Sequence, residues 1–266
     1  MISKPLFKAT IKQNYIVFLI ILAVLMLYLP IIITMYDPAT QDSLNEMLAM
    51  LPQELISAMG FTGAGNTLLS FIGTYFYGFL ILLLPMIYSV IVCNRSLASL
   101  VDKGSMAYLL STPNTRSKIA RTQALFIFIS ISILIGFVTV IGITLSEIEF
   151  PGELDIPGFL LLNLGALLLY YALTGIGFFA SALFNDTKNS LAIGAGLPVA
   201  FLVLQMISDV GKSTEFLKYL TIYTLFDPQK IISGDDFILS FITLVLIAVA
   251  TYIGGFIAFQ KRDLPL

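Results

Sequence analysis

The residues best placed to do chemistry in this chain lie between Asp102 and Gln123, DKGSMAYLLSTPNTRSKIARTQ, the most basic interval between apolar runs. Met106, Leu109 and Leu110 recur at helical spacing, Pro113 halts the turn, and Arg116, Lys118 and Arg121 form a basic cluster just before the next apolar run. An amphipathic helix seated at a membrane surface has this pattern, its chemistry being charge pairing with anionic headgroups or with a partner protein. A plain basic loop between two membrane helices has it too.

Other chemistry is thinly supplied. Histidine is absent and Cys93 is the single cysteine, which removes the commonest metal ligand and general base and excludes an intramolecular disulfide. Serines without a histidine have no base to activate them. The GKS at Gly211 to Ser213 is no phosphate loop, because Met206 stands where a Walker A sequence needs its first glycine. Gly60 to Gly65, GFTGAG, follows no strand and serves as a flexible approach to a helix. Asn94 and Asn185 match the glycosylation triplet but fall on the side expected to be cytoplasmic. No nucleic-acid-binding pattern is present.

The elements that must position the basic stretch are membrane helices. The chain is 58% hydrophobic and only 11% charged, with a mean hydropathy of +0.96, where soluble domains carry about 25% charged residues. No charged side chain falls in residues 13–36, 67–94, 122–146, 156–185, 189–208 or 237–260. Each interval is long enough to cross about 30 Å of hydrocarbon as a helix, and continuous apolar runs exclude the alternation of a barrel. Spans are expected over about 15–36, 67–92, 122–144, 157–184, 190–207 and 237–259, within one domain covering 1–266. With both termini cytoplasmic, Lys4, Lys8, Lys12, Arg95, Lys103, Arg116, Lys118, Arg121, Lys188, Lys261 and Arg262 lie inside, leaving only Lys212, Lys218 and Lys230 outside. Trp is absent, so tyrosines supply most of any interfacial aromatic belt.

Taken in order, Lys4, Lys8 and Lys12 repeat at i, i+4 and i+8, which fits either a short interfacial helix over 1–12 or a charged segment that only orients span one. Residues 37–66 suit two short outer helices, the first opened by the capping box Ser43 and Glu46. In span two, Pro85 leaves a carbonyl unpaired, and Tyr75, Tyr77 and Tyr88 face either a translocation path, a protein partner or lipid. Ser132 and Gly136 in span three, four glycines in span four, and Ala192 and Gly196 in span five allow close helix approach. The short link 185–189 makes spans four and five antiparallel neighbours. TEFLKYLTIYTLF, 214–226, is expected to be an outer surface helix with Phe216, Leu217, Leu220 and Tyr223 on one face, ended by Asp227-Pro228. Arg262 and Asp263 are placed to pair at the cytoplasmic end.

No acidic, basic or histidine side chain lies inside a span, so there is no candidate proton relay; backbone carbonyls at broken helices leave sodium coupling open. An ion-coupled secondary transporter and a membrane anchor for a partner complex are the alternatives to a transport subunit powered elsewhere. For the last of these the residues carry a resemblance. DKGSMAYLLSTPNTR is similar to the acidic-x-Gly-Thr/Ser-Leu/Met-x-Tyr-Leu-Leu-Ser-x-Pro-x-Ser/Thr-Arg stretch of ABC-2 type permeases, the membrane subunits of bacterial ABC exporters. Asp102, Gly104, Tyr108, Leu109, Leu110, Pro113 and Arg116 match it, with Met106 where leucine is common. LFDPQKIISGD, 225–235, and FQKRDLPL, 259–266, are also similar, and the likeness covers essentially the whole chain.

The resemblance implies an all-α, six-span permease of the type V exporter architecture, with an N-terminal interfacial helix and a cytoplasmic coupling helix over Leu97 to Thr112. It implies a second identical or related permease and two separate ATP-binding subunits that carry ATP and magnesium, with no cofactor, metal or catalytic residue in this chain. Asp102, Gly104, Met106, Tyr108, Leu109, Leu110, Pro113, Arg116 and Lys118 would serve ATPase coupling. The path would run between spans one, two and five of two subunits in the bacterial cell membrane, carrying a peptide, lipid or drug outward.

Overall fold

The computed structural model describes residues 2–37, 50–52, 55, 67–210 and 214–264. The two outer helices expected over 37–66, and the GKS at 211–213, lie almost wholly outside the described residues. Among those described, nine helices follow in order: α1 (Lys4–Thr34), α2 (Leu68–Ser96), α3 (Ala98–Asp102), α4 (Ser105–Leu110), α5 (Arg116–Glu149), α6 (Ile156–Leu183), α7 (Thr187–Val210), α8 (Pro228–Ser233) and α9 (Ile238–Lys261). No described residue is in a strand. Six of the helices, α1, α2, α5, α6, α7 and α9, are long and apolar enough to cross a membrane. The chain is a multi-pass membrane protein.

The helices overrun the uncharged intervals. α1 has 31 residues and no break near Lys12, so residues 4–12 are the first turns of span one rather than a separate interfacial helix. Pro5 starts the helix, and no glycine or proline interrupts it before Pro30. Its first turns are fastened to two neighbours. The Ser3 N–H donates to Thr122 Oγ1 at 3.0 Å, Gln123 Nε2 to Thr10 Oγ1 at 3.2 Å, and Arg95 Nη1 to the Gln13 carbonyl at 3.2 Å. α5 begins at Arg116, so the basic cluster is helix, not loop; its 34 residues extend about 51 Å at 1.5 Å per residue, well beyond the hydrocarbon.

α6 is the hub, packed against α2, α5, α7 and α9. Its glycines make this possible: a Cβ on Gly175 would stand 2.2 Å from Thr251 Oγ1 of α9, and one on Gly177 would stand 2.8 Å from Cys93 Cβ of α2. The three-residue link 184–186 sets α7 antiparallel beside it. Span three differs from expectation, because nothing lies within 4 Å of a Cβ built on Gly136, and Ser132 instead shares a hydrogen bond of 2.6 Å with the Tyr171 hydroxyl.

Span two is not a regular helix. Gly73–Leu80 is wound as π-helix, and Pro85 has no N–H for the Ile81 carbonyl four residues back. The Tyr170 hydroxyl of α6 makes good the deficit, reaching the Ile81 and Leu82 carbonyls at 2.6 and 2.7 Å. At the end away from the termini, 215–225 is two short 3-10 turns, Glu215–Leu220 and Tyr223–Leu225, rather than one surface helix. Thr221 is extended between them; its hydroxyl donates to the Phe201 carbonyl at 2.9 Å and accepts the Tyr223 N–H at 3.1 Å, bonds that compete with a helical ladder. Tyr223 is therefore buried while Phe216 and Leu220 are exposed. Asp227 then caps α8 through the Gln229 and Lys230 N–H groups.

Candidate coupling site

Both termini and residues 97–118 share one end of the bundle, and there the polar side chains converge. The expected coupling helix Leu97 to Thr112 is in fact two short helices, α3 and α4. The break is at Lys103 and Gly104, where Gly104 takes φ +68°, a left-handed conformation that a side chain resists. No atom lies within 4 Å of a Cβ built there, so the demand for glycine comes from the backbone alone.

The inner face of this pair is held by neighbours. Leu97, Ala98, Val101 and Met106 are buried. The Leu97 and Ala98 N–H groups, orphaned at the start of α3, donate to Ser181 Oγ of α6 at 3.1 and 2.9 Å, and the Ser96 hydroxyl donates to the same oxygen. A serine on span four thus acts as the N-cap. The Asp102 carboxylate accepts from the Thr187 hydroxyl at 2.6 Å and the Thr187 N–H at 3.3 Å, at the first turn of α7. Asp186 accepts the Asn189 N–H at 2.7 Å, which holds its carboxyl below the usual carboxylate range. Two carboxylates therefore meet the positive end of the α7 dipole.

The outer face is open. Tyr108 is 80% exposed, with Lys103, Ala107, Ser111, Thr112 and Pro113 exposed around it, while Leu109 and Leu110 are half-buried beneath. The last α4 carbonyls are closed locally: Ser111 Oγ donates to the Tyr108 carbonyl and Thr112 Oγ1 to that of Leu109. Pro113 sits in the turn, and Thr115 caps α5 by accepting the Lys118 N–H. Lys118 Nζ reaches back to the Pro113 carbonyl at 3.4 Å.

Arg116 and Arg262 form a second junction. Arg116 Nη1 donates to the Arg262 carbonyl at 2.8 Å, and Arg262 Nη1 donates to the Phe184 carbonyl, with its guanidinium 5.0 Å from the Phe259 ring centroid. Burial, and then the neighbouring Arg116 charge, lower Arg262 to about 10. The expected Arg262–Asp263 pair does not form; the Asp263 carbonyl instead accepts from Asn185 Nδ2 at 3.4 Å. The chain's last turn is thereby tied to the link between α6 and α7 and to the start of α5.

Sequence reasoning thus names Asp102, Gly104, Met106, Arg116 and Lys118 with their neighbourhood, but assigns no partner to any of them. Ser181, Thr187 and the Phe184 carbonyl were missed, and no local pattern marks them. The three span-two tyrosines are a different matter. Tyr77 and Tyr88 are buried in this chain's own core, Tyr77 edge-on to Phe159 of α6 at 6.0 Å and Tyr88 edge-on to Phe18 of α1 at 5.7 Å. Tyr75 is half-buried against Phe71.

Among the described residues no three metal-binding side chains come together. Six helices long and apolar enough to cross a membrane, with a broken helix pair clamped to one end of the bundle, make this a membrane-embedded protein. The chain belongs to the ABC-2 transporter family: the family model described as ABC-2 family transporter protein matches residues 2–264. It is the membrane permease of an ABC transporter, a family whose permeases work with ABC ATPase subunits. No curated protein matches the sequence.

Proposed function

We propose that this permease exports an amphipathic or hydrophobic substrate, a peptide, lipid or drug, from a bacterial cell, with α3 and α4 receiving the stroke of a separate ATPase. The observation that carries this is the two-sidedness of residues 97–112: an outer face open around Tyr108 and an inner face bonded to span four through Ser181 and to span five through Asp102. A push on the outer face moves two spans as rigid bodies rather than bending a loop. The lysine and arginine bias supports placing this end in the cytoplasm.

Two ATP-binding subunits, holding ATP and magnesium, would sit beneath two identical or related permeases. Spans one and five would supply the faces for that pairing; in their most apolar stretches only 28% and 22% of residues are buried within the chain, a share that span six matches at 22%. Ala192 and Gly196 on α7 are among the outward residues and suit close helix contact. The substrate path runs between these faces with span two recessed behind them.

Tyr108→Arg tests the docking face. The variant is expected to reach the membrane and unfold at the same temperature as the parent, because the side chain touches little of its own chain. It is expected to lose substrate-stimulated ATP hydrolysis about tenfold when reconstituted with the ATPase. Undiminished stimulation would show that the ATPase docks elsewhere.

A further inference from the structure

The seam between α1 and α5 is fastened along its floor and open along its face. Below, the Ser3–Thr122 and Thr10–Gln123 hydrogen bonds and the edge-on rings of Phe7 and Phe126, 5.9 Å apart, hold the helices together. Above, two apolar hollows of about 320 and 620 Å³ share Phe7 and Ile129 and so form one groove, walled by Ile11, Tyr15, Leu125 and Ile133 and floored by Tyr88. The larger hollow opens at Ile2 and Lys4, at the end of the bundle that carries the termini.

Charge distinguishes this groove from another apolar hollow of about 270 Å³, between α5, α6 and α9, whose lining includes Val249 and carries no charged side chain. On α5 the series Ile133, Ile129, Leu125 continues at the same four-residue step to Arg121; on α1, Tyr15 and Ile11 lead down to Lys8 and Lys4. The Ser3–Thr122 bond brings the ends of the two series side by side, one residue from Lys4 and one from Arg121. All three cations are exposed, and none has an ion pair or hydrogen bond with a described residue. The sequence has no acid before Asp37 and none between Asp102 and Glu147, so neither helix supplies a counter-charge at this end.

We propose that this groove is a binding site for one anionic phospholipid, its acyl chain along Leu125, Ile129 and Ile133 and its phosphate at Lys4, Lys8 and Arg121. Net headgroup charge decides the occupant: a zwitterionic lipid carries its own ammonium beside the phosphate and leaves the three cations uncompensated. The site depends on the membrane placement of α1 and α5 and on neither the transport direction nor the substrate.

The chain contains no tryptophan, so a single introduced indole reports on one place. Tyr15→Trp puts it on the groove wall at a position 47% exposed, and Val249→Trp puts the control in the uncharged hollow at a position 50% exposed. Each full-length variant is reconstituted in phosphatidylcholine vesicles doped with acyl-brominated phosphatidylglycerol or acyl-brominated phosphatidylcholine. For Tyr15→Trp, half-maximal quenching is expected at an about fivefold lower mole fraction of the brominated anionic lipid. The two lipids are expected to coincide for Val249→Trp, and also for Tyr15→Trp once Lys4→Gln, Lys8→Gln and Arg121→Gln are added. Coincidence in the unaltered groove overturns the proposal, as does absence of quenching by either lipid, which means a second copy of the chain covers the face. Ile129→Trp, 38% exposed, is the second reporter if Tyr15→Trp fails to insert.

Discussion

Spans four and five are consecutive, joined by three residues, and alike in composition, yet they occupy opposite positions. In the most apolar stretch of α6, 61% of residues are buried; in that of α7, 22% are. Both helices bear small residues at close-packing intervals. On α6 those residues are spent inside the chain, Gly177 against Cys93 and Gly175 against Thr251. On α7 only one side is used so: Gly194 and Pro198 are buried, with Gly194 against Gly177 and Ala180, while Ala192 and Gly196 one step round the helix are exposed. A small-residue stripe therefore permits close approach without saying whose helix approaches.

The contrast is sharpest when the same change is made on both helices. Gly177→Val drives a branched side chain into the Cys93 Cβ, and overpacking of this kind costs about 1–3 kcal/mol or more. Gly196→Val adds the same atoms where no heavy atom lies within 4 Å, and is expected to change the stability of the isolated permease by no more than about 0.5 kcal/mol. Thermal unfolding of the purified chain in detergent separates the two. Equal losses would mean that α7 is packed on both sides within the monomer. If α7 is the face that meets a second permease, Gly196→Val also lowers the dimer fraction while leaving the unfolding temperature alone.

The sequence announces the spans because burying a charge in lipid is costly enough to clear six intervals of every Lys, Arg, Asp and Glu. It announces the basic stretch for the same reason, and the family stretch 102–116 falls on α3, α4 and the start of α5. What it does not announce depends on contacts far along the chain. Asp102 lies 85 residues from Thr187, and Ser181 lies 83 from the Ala98 N–H it accepts. Ser181 stands in an apolar run where a small residue has many uses. The break at Gly104 was similarly hidden, since Met106, Leu109 and Leu110 keep helical spacing across α4 whether or not α3 continues into it. The lysine spacing over residues 1–12 leaves a separate interfacial helix and a charged lead into span one equally open, and the continuous helix Lys4–Thr34 decides for the second.

Span four also lends a side-chain hydroxyl to the interior of span two, through Tyr170. Tyr170→Phe removes the hydroxyl that caps the Ile81 and Leu82 carbonyls and leaves two buried acceptors short, at a cost of about 1–3 kcal/mol. Pro85→Ala restores a backbone N–H able to reach the Ile81 carbonyl, so the tyrosine change should cost less in that background. A double-mutant cycle on the unfolding free energy measures the coupling, expected at 0.5 kcal/mol or more. Strict additivity would show that the hydroxyl stabilises α6 alone and that span two accommodates its proline by other means.

The smallest expected change in stability attends the link from the surface to span five. Asp102 is exposed, so Asp102→Asn should barely move the unfolding temperature, since exposed charge contacts contribute little. Its effect belongs to transmission. With the carboxylate weakened, α3 no longer pulls directly on the first turn of α7, and ATP hydrolysed per substrate moved is expected to rise severalfold in the reconstituted transporter. Thr187→Val removes only the hydroxyl and leaves the N–H to donate, so its effect should have the same sign and be smaller. The two changes together should do no more than Asp102→Asn alone, because they sever one connection. An unchanged ratio in Asp102→Asn would mean that the stroke passes to span four through Ser181, and that α7 moves only as its passenger.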